Sequence, residues 1–284
     1  MNKDLTVGSP GRSLIMFTIP LFISVMFQQM YNIADSVIAG KFAGEDALAA
    51  IGASYPITMI FMAVAVGCQI GCSVVISKHF GAGNMPMTKT CISTALISGT
   101  VLSAVLTVVG VLFSGVFMQW VQTPDNIFDD GCLYLMIYTG GFVFLFIYNV
   151  VTGIFNSLGD SKTPVYFLLL SSLLNIGLDF FTILGLGMGV GGPALATVIS
   201  QGISAVLCLI YMIKHYPILH MKNGEWKPDG RMLGVLCGMG IPMGLQYSIT
   251  AIGSVVLQTA VNSLGSMAVA AVSTGSKVSM FFCC

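Results

Sequence analysis

"SLIMFTIPLFISVMFQQMYNIADSVIAG", Ser13 to Gly40, carries a single charge, Asp35. A helix that crosses a bilayer needs roughly 20 apolar residues, and this run supplies them. Its polar groups gather toward the carboxyl end, at Gln28, Gln29, Tyr31, Asn32 and Asp35. A carboxylate in hydrocarbon is costly unless it is paired, and so it marks a functional candidate. The stretch therefore reads as a membrane span whose acid needs partners from elsewhere in the chain.

The remaining sequence has the same character. Of 284 residues, 56% are hydrophobic and 8% are charged, against roughly a quarter charged in an ordinary soluble domain. So few polar groups cannot cover a water-soluble particle, which excludes that class. The formal net charge is zero, which gives no footing for nucleic acid. Further apolar stretches run from about Ile51 to Ser77, Cys91 to Trp120, Cys132 to Leu158, Pro164 to Leu186, Pro193 to Tyr216 and Met232 to Asn262. An eighth begins near Met267 and is cut short at "FFCC". All are rich in Gly, Ser and Ala, which suits close helix packing in lipid.

Lys and Arg fall unevenly between the connections. Lys3, Arg12, Lys78, Lys89, Lys162, Lys214, Lys222, Lys227 and Arg231 lie on one side, and only Lys41 on the other. The acids Glu45, Asp46, Asp125, Asp129 and Asp130 are on the lysine-poor side. The positive-inside rule then makes the amino terminus cytoplasmic, in a multi-pass protein of the cell's inner membrane. No cleavable leader is expected, because the first run is too long for one and no small-residue cleavage site follows it.

An internal echo sets the architecture. "IPLFISVMFQQMYNIADSVIAGKFAGEDALAAIG" begins at Ile19 and "IPMGLQYSITAIGSVVLQTAVNSLGSMAVAAVS" at Ile241, aligning Pro20 with Pro242 and Gly44 with Gly265. The two starts are six spans apart, so both enter the membrane in the same direction, as a parallel repeat. The expected fold is an all-α polytopic membrane protein. Residues 1–13 form a cytoplasmic amino terminus, 14–216 a six-helix lobe, 217–231 a cytoplasmic linker and 232–284 the start of a second bundle. Twelve helices are expected in a complete protein, with this chain a fragment of it.

Three ionisable residues fall well inside the spans: Asp35, Asp179 and, in the eighth, Lys277. Asn175 lies one turn from Asp179 in "LLNIGLDFF", and the i, i+4 spacing puts both on one face. Thr197 lies about 6 Å into the sixth span, which begins at Pro193. Spans one, five and six thus carry Asp, Asn, Asp and Thr oxygens at overlapping depth. Two close carboxylates in low dielectric cannot both stay ionised unaided. A proton or a sodium ion relieves the repulsion, and carboxylate, amide and hydroxyl oxygens suit hard cations. Gln28, Tyr31, Asn32, Tyr138, Asn149 and Lys277 are candidates to line a cavity, although each also suits hydrogen bonding between helices.

"YNIADSVIAG", "GDSKTP", "LLNIGLDFF" and "GVGGPALATVISQ" together resemble the amino-terminal lobe of the multidrug and toxic compound extrusion family. "MGIPMGLQYSI" resembles the start of its second lobe, so the likeness covers essentially the whole chain. The resemblance implies an antiporter that exports organic, often cationic, compounds in exchange for sodium or protons, acts as a monomer and needs no cofactor. It places a cation site on Asp35, Asn175, Asp179 and Thr197 and a helix-one bend at Pro20. Pro193 departs from the family, which more often has alanine there.

The nearest rival is a lipid-linked oligosaccharide flippase of related two-lobe architecture. Such proteins carry cationic residues in the central cavity, which this first lobe lacks. A membrane receptor that does not transport conflicts with the parallel repeat. An enzyme lacks support: there is no HExxH, no GxSxG and no nucleophile with its base. Gly187, Gly189 and Gly192 match GxGxxG, but no strand precedes them, so a dinucleotide site fails its context. The eight cysteines, Cys68 and Cys72 included, read as small hydrophobes rather than metal ligands.

Overall fold

The computed structural model describes residues 10–216 and 226–262. Within them the helices are α1 (Pro10–Ile38), α2 (Glu45–Gly81), α3 (Met85–Leu112), α4 (Ser114–Trp120), α5 (Asp125–Gly140), α6 (Phe142–Ser157), α7 (Lys162–Phe180), α8 (Gly191–His215) and α9 (Gly230–Asn262). No strand occurs among the described residues. Six helices are long and apolar enough to cross a membrane, and the bent pair α5–α6 makes a seventh. The eighth stretch and Lys277 lie outside the described residues, as does the amino terminus before residue 10.

Two spans that read as continuous are broken. The third divides at Phe113 into α3 and α4, and the fourth turns by 45° at Gly141 between α5 and α6. The fourth also starts earlier than its apolar run. Asp125, Asp129 and Asp130, expected in a connection, belong to the first turns of α5. Acids near a helix amino terminus are favoured by its exposed N–H groups and dipole, so the helix continues past the apolar limit.

Short turns at the lysine-rich end align the hairpins. Gly83 (φ +70°) and Gly159 (φ +83°) take the left-handed backbone that L side chains resist. Asn84 Oδ1 then accepts the Met87 N–H at 3.2 Å and caps α3. After Gly159, Asp160 caps α7: its Oδ1 accepts the N–H groups of Lys162 and Thr163, each at 3.1 Å. Its Oδ2 accepts the hydroxyls of Thr163 and of Tyr216, beyond the end of α8. The neighbouring Ser161 hydroxyl donates to the Phe17 carbonyl of α1 at 3.0 Å. Burial pushes the Asp160 carboxyl up, but these hydrogen bonds outweigh it and hold the group below the usual carboxylate range.

The core lies where α2, α6 and α8 meet. Phe142, Phe146, Ile154 and Phe155 of α6 pack there against Ile76 of α2 and Met212 of α8, all almost fully buried. The backbones of α2 and α9 approach closely. A Cβ added at Gly67 would lie 2.7 Å from the Gly244 nitrogen, and one at Gly71 would lie 2.7 Å from the Gly240 nitrogen. Glycines four apart on both helices make that contact possible. By contrast, α1 leans mainly on α7 and buries none of its most apolar stretch. Both α1 and α9 run on past an internal proline, Pro20 and Pro242, as the sequence echo leads one to expect.

Candidate functional site

Where α1 and α7 end on the lysine-poor side, each passes into one π-helical turn, Ala39–Ala43 and Phe181–Gly185. The turns touch each other, and the rings of Phe42 and Phe180 meet edge to face with centroids 5.5 Å apart. Such turns are rare and recur at functional sites. Here they continue both helices past Asp35 and Asp179, each acid lying within three turns of its helix end. Sequence periodicity gives no sign of them, because one extra residue per turn leaves composition unchanged.

Inside the paired turns the two carboxyls face one another within hydrogen-bond reach. Asp179 and Asn175 are fully buried on the inner face of α7. In the amide orientation that satisfies both of its ends, Asn175 donates to Asp179 Oδ2 at 3.0 Å. It also accepts from the Thr197 hydroxyl and backbone N–H, each at 3.2 Å. Asn175 therefore ties the acid on α7 to α8. The Tyr31 hydroxyl of α1 also reaches Thr197, closing the ring of α1, α7 and α8.

Within this ring satisfaction is incomplete. Oδ1 of Asp35 and Oδ1 of Asp179 are both buried without a hydrogen-bond partner. Buried polar atoms are normally paired, so two orphaned oxygens on adjacent acids mark a gap in the donor set. A hydrogen bond between carboxyls requires a proton on one of them, and a small hard cation would bridge the same oxygens. No group of three or more His, Cys, Asp or Glu gathers among the described residues. The oxygens at hand are two carboxyls, one amide and the hydroxyls of Thr197 and Tyr31.

The four residues expected to share a cation site thus stand together. Of the expected cavity residues, Tyr31 and Tyr138 belong to the same neighbourhood. Gln28 lies on the same α1 stripe as Tyr31 and Asp35 and is exposed. The Asn149 amide donates to its own helix at Leu145 (2.8 Å), so its N–H has a local partner. Pro20 lies in α1 one turn from Phe17, the carbonyl that Ser161 holds. The side chain of Asn32 and all of Lys277 fall outside what is described.

Sequence reasoning missed Tyr134. Its ring stacks on Tyr138 (centroids 6.1 Å apart, planes 14° apart) and it walls the acids from the α5 side, close to Asp35, Tyr31 and Asp179. The i, i+4 spacing of the two tyrosines is the available signal, but the same spacing serves ordinary packing.

An all-helical, multi-pass membrane protein with an oxygen-lined acid pair between its first, fifth and sixth spans is the class that fold and site define. A family model described as MatE matches residues 20–181, and the chain belongs to that family. It is 29% identical over 280 residues to the probable multidrug resistance protein YoeA of Bacillus subtilis (strain 168), covering 96% of this chain and 60% of the relative. It is 25% identical over 272 residues to an FAD transporter of Shewanella oneidensis, covering 94% and 60%. Among solved structures, the outward-facing conformation of a multidrug resistance MATE family transporter superposes with a TM-score of 0.89. That match has 24% identity and covers 96% of this chain and 61% of the other. The chain therefore spans about 60% of the length of the relatives it matches.

Proposed function

We propose that the chain forms the six-helix amino-terminal lobe (14–216), a linker (217–231) and the opening of a second lobe (232–284) of a cation-coupled exporter of small organic compounds. The carrying observation is the facing pair Asp35 and Asp179, each with one partnerless oxygen. A proton or sodium ion, carried inward in exchange for the exported compound, relieves the repulsion between the acids. Loss of the ion loosens α1 from α7, and Pro20 gives α1 a place to bend, because its ring removes one backbone hydrogen bond. Coupling follows when ion and organic substrate favour different access states of the lobes. The relatives' names support an organic substrate, and the oxygen donor set supports a hard ion. The protein sits in the inner membrane with its amino terminus in the cytoplasm.

The test is gradient-driven dye efflux from vesicles holding the full-length protein, with sodium and pH varied separately. Efflux should need one of the two gradients, and efflux indifferent to both would overturn the coupling. A cysteine placed at Lys227 should react with an impermeant label only from the cytoplasmic side, and one at Asp129 only from outside. The reverse pattern would overturn the orientation.

A further inference from the structure

Helices α7 and α8 pack together, and two hydrogen bonds fix their antiparallel register. Asn175 meets the Thr197 hydroxyl at 3.2 Å, and nearer the lysine-rich end the Ser204 hydroxyl donates to the Phe167 carbonyl at 3.4 Å. Ser171 of α7 and Gln201 of α8 stand at one level between these two contacts. Ser171 is one turn from Asn175 and Gln201 one turn from Thr197, so each continues the stripe of a site residue. The step is about 6 Å toward the lysine-rich end.

A polar group is left over at this level. Gln201 Oε1 is buried without a hydrogen-bond partner, like one oxygen of each acid. Ser171 is buried too, while the adjacent Ser200 hydroxyl is spent on the Thr197 carbonyl at 3.0 Å. Farther along, Asn156 Oδ1, next to last in α6, is also buried and partnerless. No charged residue lies between Lys162 and Asp179 or between Gly191 and Lys214. A buried acceptor without a donor is normally met by water or an ion. Neutral amide and hydroxyl oxygens suit a hard cation. They hold it less firmly than carboxylates do, which lets it stop and leave.

We propose that Gln201, level with Ser171, forms a transfer subsite that takes the coupling cation from the acid pair toward the cytoplasm. The cation is sodium, or a proton carried on water, since an amide oxygen does not itself take up a proton near neutral pH. The subsite rests on the reading of Asp35 and Asp179 as the ion site. It acts on the rate at which the ion leaves and not on how tightly the acids hold it.

Gln201→Leu removes the oxygen and keeps the bulk. Two quantities would be read on the full-length protein, with sodium and pH varied separately. One is maximal gradient-driven dye efflux from vesicles. The other is ion affinity at equilibrium, from calorimetric titration with sodium or from the pH midpoint of the carboxyl infrared band. Efflux should fall at least about tenfold on loss of one oxygen contact to a charged group, while the equilibrium affinity and the unfolding midpoint stay as they were. Gln201→Asn keeps an amide oxygen and should recover most of the lost rate. Efflux by Gln201→Leu at the unmutated rate would overturn the subsite, and so would an asparagine variant no faster than the leucine one. A shift in equilibrium affinity that accounts for the lost rate would make Gln201 part of the acid-pair site and also overturn it. Efflux by the unmutated protein that ignores both gradients would instead strike the acid-pair reading itself, and the subsite with it.

Discussion

Helix α7 carries an aspartate near each end, and the two are held in opposite ways. Asp160, just before its amino terminus, accepts two backbone N–H groups and two hydroxyls. Asp179, next to last in the helix, has one oxygen on Asn175 and the other buried without a partner, facing a second acid. The helix dipole reinforces the contrast, favouring negative charge at the amino end and opposing it at the carboxyl end. The first acid joins the connection between α6 and α7 to α8, and Ser161 extends that joint to α1. The second is left needing a proton or a cation. On the proposed reading, one end of α7 is an anchor and the other responds to an ion.

The largest expected effect lies at the responsive end. Asp179→Asn keeps the volume and an acceptor for Asn175 but removes the charge that an ion must meet. Gradient-driven efflux by the full-length protein should fall to the vesicle leak, while thermal stability in detergent holds or rises, since a buried like-charge pair has been relieved. Efflux at the unmutated rate would erase the distinction between the two ends.

At the anchored end the effect should be on stability. Asp160→Asn loses a charge-assisted cap and weakens four hydrogen bonds, which costs about 2–3 kcal/mol, read as a lowered unfolding midpoint. The carboxyl is held below its unfolded value of about 4. Its contribution is therefore complete above about pH 4 and is lost as pH falls through the lower folded value. The difference between the unmutated chain and the variant should shrink on acidification below about pH 4. A constant difference down to pH 2 would show that Asp160 acts through shape alone.

Smaller changes sharpen the contrast. Tyr216→Phe removes one hydroxyl from Asp160 and should cost about 1.5 kcal/mol with efflux retained. Ser161→Ala cuts the link to the Phe17 carbonyl. It should cost about 0.5–1 kcal/mol and show as faster hydrogen exchange in α1 around Phe17, with exchange at the Asp35 end unchanged. Equal acceleration along all of α1 would mean that its two halves do not move separately.

Membrane residence and the number of spans are legible in the sequence because hydrocarbon tolerates few charges over a fixed length, and the limit applies residue by residue. For the same reason Asp35 and Asp179 stand out, being acids within apolar runs, and Asn175 follows by helical spacing. Helix breaks do not stand out. Phe113 and Gly141 sit in runs as apolar as any other, and the two π-helical turns change one hydrogen-bond register without changing composition. Tyr134 was also hidden, since a tyrosine on an apolar helix face looks the same whether it packs a core or walls an acid pair.

The sequence alone thus determined that the chain lives in a bilayer, runs through it seven times over the described residues and carries two acids there, because burial free energy depends on residue type. Only the tertiary structure decided that those acids meet, that Asn175 bridges to Thr197, and that Asp160 is satisfied while Asp179 is not. Hydrogen bonds depend on distances between helices far apart in the chain, and those distances are set by close packing such as that of Gly67 on Gly244 and by turns that no composition records.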